Sequence, residues 1–278
     1  MPKLSLNQHW WSQEIAGARM LNARFKEHLF PPHTHESFTV ALVTGGSYLV
    51  RAAAKVFVAK PGAVIFLNPG EVHSGAPGER GGWTMRSMHL NADSVREYIM
   101  KEFEQANFRF TRQLWARDQI LANYFYRLHR SAETNRRSKE ACSLYHQLMG
   151  HFVKFYSEFD GRSAAEKDAF TGITSKAKLF MRDNLGAKLL LDDIASQTGL
   201  SKFYFLKIFG ETEGITPHAW LTQQRIERSA DILRTNCDAR LSDVAVKVGF
   251  SDQAHFTREF KKIIGLTPRI FQTNRAEF

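Results

Sequence analysis

Between Leu191 and Gln272 the chain writes one pattern twice, and this repeat constrains the fold more than any other feature. The first copy is LDDIASQTGLSKFYFLKIFGETEGITPHAW and the second is LSDVAVKVGFSDQAHFTREFKKIIGLTPRIFQ. Asp193, Ile194, Ala195, Gly199, Leu200 and Ser201 correspond to Asp243, Val244, Ala245, Gly249, Phe250 and Ser251. After the second serine the copies slip by one residue, so that Phe209, Gly214, Thr216 and Pro217 match Phe260, Gly265, Thr267 and Pro268. A repeat of this length is one supersecondary unit used twice, so both copies should fold alike.

Each copy has the anatomy of a helix-turn-helix. A short helix is expected to open at Asp192 or Ser242, whose side-chain oxygen accepts from an orphan backbone N–H. Ile194 or Val244 supplies its buried face, and the small Ala195 or Ala245 lets a second helix cross closely. Gly199 and Gly249 end it, because the turn needs a positive φ. Ser201 and Ser251 then cap a second helix, expected to run to about Phe209 and Phe260. The Thr-Pro pairs start one further helix each, with Thr as cap and Pro at the first helical position. The helix after Pro217 carries Ala219, Ile226, Ala230 and Leu233 on one stripe and joins the copies as a rod. An all-α domain over residues 175–278 is the expectation, with its two second helices at a fixed separation.

The N-terminal half has a different period. From Arg19 to about Leu90, short β-branched and aromatic runs broken by Pro and Gly predict a small all-β barrel or sandwich. From Asp93 the apolar spacing changes, as in Val95, Ile99 and Phe103 and in Leu121, Phe125 and Leu128. Helices are expected at 93–106, 111–131 and 139–158, their stripes packing on the barrel or on a second subunit. The unpatterned segment DGRSAAEKDAF reads as a linker. The fold class is therefore α+β, with a first domain over 1–160, a linker over 161–174 and the helical domain over 175–278.

The 278 residues hold 38 Lys and Arg against 28 Asp and Glu, a net charge of +10. Such an excess favours a polyanionic partner such as nucleic acid. Residues 175–278 hold only +4 of it (Lys and Arg 16, Asp and Glu 12). Part of the remainder lies around Arg109, Arg112, Arg117, Arg127, Arg130, Arg136 and Arg137, read as a solvated helical face. Two cysteines, Cys142 and Cys237, make neither a disulfide framework nor a thiolate zinc site. The sequence shows no signal peptide and no apolar run long enough to span a bilayer, so the reading is cytoplasmic with no membrane partner. Neither a Gly-rich phosphate loop, nor a Ser-His-Asp set, nor a carboxylate pair stands out, and the chain is not read as an enzyme.

From about Lys176 to Gln272 the sequence resembles the AraC/XylS family of bacterial transcription regulators. GFSDQAHFTREFKKIIGLTP carries the resemblance, and GLSKFYFLKIFGETEGITP carries it more weakly. The resemblance implies a double-stranded DNA partner, a homodimer and RNA polymerase as a further candidate partner; activation and repression are both open. Carried over by position, the first recognition helix presents Lys202, Phe203, Leu206 and Lys207. The second presents Asp252, Gln253, His255, Thr257 and Arg258. Gln and Arg suit adenine and guanine edges, Thr a thymine methyl and Lys a phosphate, so the second helix is chemically the better reader.

Residues 19–90 are similar to the cupin-like effector-binding domain found in many members of that family. PPHTHESFTVALVTGGSY and KPGAVIFLNPGEVHSG carry this likeness, which implies a small-molecule effector and no cofactor. Strand alternation places Phe38, Val40, Leu42 and Thr44 on one face and Met85, Ser87 and His89 on another, and one of these faces must line the interior. The expected effector contacts are His33, His35, Phe38, Thr44, His73, Trp83, Met85 and Arg86, with Trp83 stacking and Arg86 pairing an anion. His-x-His plus a third His also suits a metal. The alternative reading is accordingly a metal-dependent cupin enzyme with an appended DNA-binding domain. An enzymatic cupin wants a carboxylate where Thr39 and Val40 stand, however, and Glu36 should point to the opposite face from His35. The expectation is hydrogen bonding by these histidines and no metal.

Overall fold

The computed structural model describes residues 8–12, 15, 17–134, 139–159, 169–236 and 238–273. The chain divides into two compact units, 1–29 with 34–161 and 276–278, and 162–275 with the short segment 30–33. Because 30–33 forms a strand of a sheet, it is described with the sheets.

The six-stranded sheet runs in the order β1 (Gln8–Ser12), β2 (Ala18–Phe25), β9 (Trp83–Asn91), β4 (Ser37–Gly46), β7 (Val64–Leu67) and β11 (Trp115–Ala116). The four-stranded sheet has β3 (Phe30–His33), β8 (His73–Pro77), β5 (Tyr48–Ala52) and β6 (Lys55–Ala59). Tyr48 of the smaller sheet stacks on Trp83 of the larger one at 4.6 Å and 16°. Gly75 makes this possible, because a Cβ there would collide with the Tyr48 ring.

Register decides which side chains face that space. Thr39, Ala41 and Val43 pair with His89, Ser87 and Met85, and Leu21, Ala23 and Phe25 pair with Ser87, Met85 and Trp83. With Trp83 on the Tyr48 side, period-two alternation puts Met85, Ser87 and His89 between the sheets. Phe38, Val40, Leu42, Met88 and Leu90 point the other way, into a core shared with Ile99, Phe125, Leu128, Leu148 and Phe152.

Those last residues come from α1 (Ala92–Phe103), α2 (Gln119–Thr134) and α3 (Lys139–Phe155). Asn91 caps α1, its side chain accepting from the Ser94 N–H at 2.9 Å. Asp118 caps α2 by accepting from the Ile120 and Leu121 N–H groups. Helix was expected from residue 111, but 108–118 is extended or irregular. Phe108 and Phe110 are buried on either side of Arg109, a period of two, in β10 (Phe108–Phe110), which pairs with β12 (Ser157–Phe159).

The second unit is helical: α4 (Ala169–Asp183), α5 (Leu191–Ser196), α6 (Lys202–Glu213), α7 (Pro217–Thr235), α8 (Leu241–Lys247), α9 (Gln253–Ile264) and α10 (Pro268–Thr273). Helix α4 takes up the end of the expected linker, and residues 161–168 of it lie outside the described residues. Gly199 and Gly249 have φ of 72° and 92°, which only glycine holds without strain. Thr216 caps α7 through the Ala219 N–H with Pro217 in its first turn, and Thr267 accepts from the Ile270 N–H before α10.

Three expected caps move. Helix α5 begins at Leu191, and Asp193 reaches back to the Leu190 N–H at 2.9 Å, so the carboxylate acts from inside the first turn. Helix α8 begins at Leu241 and not after Ser242, whose hydroxyl donates to Asp243. In the second copy the cap is Asp252, not Ser251, with its carboxylate accepting from the His255 N–H at 2.7 Å. The one-residue slip of the repeat falls at this junction.

Candidate nucleic-acid interface

Each copy of the repeat is a helix, a glycine turn and a second helix, α5 with α6 and α8 with α9, and α7 connects them. Helix α9 is sharply two-faced. Phe256 and Phe260 are buried, with Phe260 against Phe271 at 5.2 Å, while Gln253 and Arg258 are exposed and His255 and Thr257 half-buried. His255 packs edge-on against Phe250 at 5.3 Å, which fixes its ring at the edge of this face.

Helix α6 is built differently. Phe205, Ile208 and Phe209 are buried, Lys202 and Lys207 are exposed, and Leu206 is half-buried. Phe203 is 82% exposed and Tyr204 beside it 45% exposed, so the outer face of α6 opens with two uncovered aromatic rings. Tyr204 was not among the expected contacts; its exposure becomes visible only once the buried face is fixed. Lys202 pairs with Asp192 at 3.1 Å across the turn.

Asp252, expected as a reader, is spent on helix geometry. Its carboxyl is held below the usual carboxylate range, chiefly by the His255 N–H, with Ser251, Ala254 and Arg258 adding to the effect. A carboxylate so placed tells against a phosphate close to the α9 N-terminus.

Arg225 of α7, which sequence reasoning passed over, links the surroundings of the two copies. Its Nε donates to Leu185 O at 2.9 Å and its Nη2 to Ala187 O at 2.7 Å, tying the loop before α5. The same guanidinium lies against the Gly249 turn, where any Cβ would strike it and Leu185 O. At Gly186 a Cβ would come within 2.8 Å of Lys247 O in α8. Burial lowers the Arg225 pKa, without changing its charge at ordinary pH. One arginine and two glycines thus join the loop ahead of the first copy to the turn of the second.

The expected effector contacts divide. Trp83 and Met85 lie between the sheets, with the Trp83 Nε1–H directed at Met85 Sδ at 3.1 Å. His35 lies 5.1 Å from His73 and 4.6 Å from His89, ring to ring, and His89 shares a hydrogen bond with Thr39 at 3.1 Å. His33 Nδ1 lies 2.7 Å from Pro31 O, and His73 Nδ1 lies 3.0 Å from Glu71 O. Phe38 sits in the helix-facing core and Thr44 is exposed, because that face of β4 turns away from the smaller sheet. Arg86 also lies on the helix side of β9, where its Nη1 meets Glu133 at 3.0 Å and His129 at 2.8 Å.

Comparison with known proteins adds two family models and several relatives. Residues 16–148 match the AraC-like ligand binding domain, and residues 194–274 match a helix-turn-helix domain. The uncharacterized HTH-type transcriptional regulator YbfI of Bacillus subtilis is 24% identical over 231 residues, covering 81% of each chain. The MmsAB operon regulatory protein of Pseudomonas aeruginosa is 24% identical over 265 residues, 90% of this chain and 79% of that one. Among solved structures, ToxT from Vibrio cholerae superposes with a TM-score of 0.60 at 12% identity, covering 94% of this chain and 98% of that one.

Proposed function

Because the chain belongs to the AraC family of transcription regulators, with a ligand-binding domain and a helix-turn-helix DNA-binding domain, we propose that α6 and α9 enter two successive major-groove segments. The observation that carries this reading is the outer face of α9, where Gln253, Thr257 and Arg258 stand over buried Phe256 and Phe260. Arg258 and Gln253 supply bidentate donors for base edges, while α6, with Phe203 and Leu206, offers apolar contact to thymine methyls and Lys202 and Lys207 for phosphates.

A small molecule bound between the N-terminal sheets, against Trp83, Met85 and the histidines, is the input of this reading. It acts only by binding one arrangement of the protein better than another. The cytoplasm, a homodimer through the exposed Ile120, Tyr126 and Phe155 of α2 and α3, and a contact with RNA polymerase belong to the same reading. No helix among the described residues is long and apolar enough to cross a membrane. The relatives named above are transcription regulators, which favours a regulator over an enzyme.

The test is selection of the purified chain on a randomised duplex library at two salt concentrations, repeated with Arg258→Ala. Two short boxes about one helical turn apart, ~10 bp, should be enriched. The variant should lose discrimination at one position of the second box, worth about 1–3 kcal/mol. Retention without any enriched sequence, abolished by salt, would overturn the reading.

A further inference from the structure

We propose that β6 is a self-association edge, along which a second copy of this chain lays its own β6 antiparallel to make one continuous sheet. Strand β6 is the last of the four-stranded sheet, and among the described residues nothing pairs with its outer side.

The hydrogen bonds on offer follow from the turn before the strand. Ala53 and Ala54 have φ of 47° and 61°, the paired positive values of a type I′ hairpin turn. Such a turn closes with Ala52 bonded to Lys55, and the antiparallel ladder alternates from there. Phe57 and Ala59 are therefore bonded to Val50 and Tyr48, while Val56 and Val58 direct their N–H and C=O groups off the sheet. A row of unpaired groups like this is a template for another strand.

The usual protections of an edge are missing. The strand reads KVFVA, without proline, and it pairs with β5 in an unbroken register, without a bulge. Its lysines, the residues best suited to guard an edge, are turned elsewhere. Lys55 Nζ donates to Arg112 O at 2.7 Å, and Lys60 pairs with Glu79 at 3.9 Å. On the inner face Ala59 is buried and Phe57 stacks on Trp115 at 5.7 Å. The outer face is apolar and open, with Val56 62% and Val58 42% exposed.

What fits this edge is the edge itself. With Phe57 on a two-fold axis, Val56 lies opposite Val58 of the second copy, and both residues of that pair have outward groups to exchange. The same register sets valine against valine on the outer face and Lys55 against Ala59, so that no like charges meet. A slip of one residue would set outward groups against groups already bonded. A slip of two would bring Lys60 or the turn residue Ala54 opposite a valine. The surface is separate from α2 and α3, and it does not depend on the regulator reading.

The experiment uses the full chain with Cys142→Ser and Cys237→Ser, to which Val56→Cys or Val58→Cys is added. Opposed residues of a bonded pair have Cα atoms about 5.5 Å apart, within disulfide reach, whereas the two copies of one valine lie beyond the limit of about 7 Å. Under mild oxidation a mixture of the two variants should cross-link and each variant alone should not. Phe155→Glu, on α3, should leave this cross-link unchanged. In sedimentation equilibrium, Val56→Lys with Val58→Lys, and Val56→Glu with Val58→Glu, should each weaken self-association by about tenfold or more, and a 1:1 mixture of the two should restore it. Cross-linking no greater in the mixture than in single variants, or lost with Phe155→Glu, overturns the proposal, as does self-association indifferent to these charges. Should a charged variant misfold, the cross-link decides alone.

Discussion

Arg86 is the residue whose role changes most between sequence and structure. Its side chain is 7% exposed and that of Glu133 is 5% exposed, so the pair bridges β9 to α2 out of water. Arg130 adds a second contact to the same Glu133 oxygen at 2.9 Å. Arg86→Met leaves a buried carboxylate short of its main partner and should cost about 3–5 kcal/mol, read from urea unfolding. Replacing both residues, as Arg86→Met with Glu133→Leu, should cost less than the single change, because no charge is then stranded. An equal or larger loss in the double variant would mean that the pair is stabilising in its own right.

His129 completes this group. Arginine can only donate, so His129 Nδ1 accepts from Arg86, and its Nε2–H donates to Ser87 O at 3.1 Å. Burial first, and the Arg86 charge next, push its pKa down to about 3. The folded value lies below the unfolded one of ~6.5, so the unfolded chain binds the extra proton. The stabilisation is whole above pH 6.5 and drains away as pH falls toward 3, by up to about 1.4 kcal/mol per pH unit. The stability gap between the wild type and His129→Gln should therefore narrow between pH 6 and 4. Fluorescence of Trp10, whose ring lies 4.7 Å from His129, is a local reporter, and a gap constant with pH would show that the site does not titrate as described.

Among the elements, the caps and turns of the helical unit carry the clearest expectations. Asp252→Ala removes the α9 cap and should lower the thermal midpoint, with faster amide exchange in the first turn of α9. Gly249→Ala forces a side chain onto φ 92° and into Leu185 O and Arg225, so it should cost more than about 1 kcal/mol and weaken duplex binding. Ordinary thermal stability in this variant would mean that the turn is less tightly closed than the contacts imply.

The repeat, its glycines and its Thr-Pro starts were legible because each depends on local backbone rules. The Asp252 cap was less so, since Ser251 and Asp252 are both good cap residues and only geometry chooses between them. Alternation sorted β4 and β9 into faces but did not say which face was inside. Phe38, Val40 and Leu42 are apolar, and so are Ala41 and Val43, because the sheet is covered on both sides. Arg225 could not have been found from the pattern, because its partners are backbone carbonyls of a loop some 40 residues away.

For the whole molecule, residues 175–278 hold only +4 of the net charge of +10, so specific contacts are expected to supply more of duplex binding than bulk charge does. Lys207→Ala should weaken all duplexes alike and reduce the slope of log affinity against log salt by about 1. Gln253→Ala should instead spare non-specific duplexes and relax one base position. Identical behaviour of the two variants would remove the distinction drawn between α6 and α9.

The brace formed by Arg225, Gly186 and Gly249 has a consequence for the DNA itself. One base pair inserted between the two boxes rotates the second by roughly 34–36° about the duplex axis. On the proposed reading, a braced pair of helices does not follow that rotation, and the duplex unwinds to meet them. Affinity across a series of spacers should then follow the torsional compliance of the spacer sequence, higher for flexible pyrimidine–purine steps than for stiff A-tracts. In Arg225→Met the same series should flatten, the protein and no longer the DNA absorbing the twist.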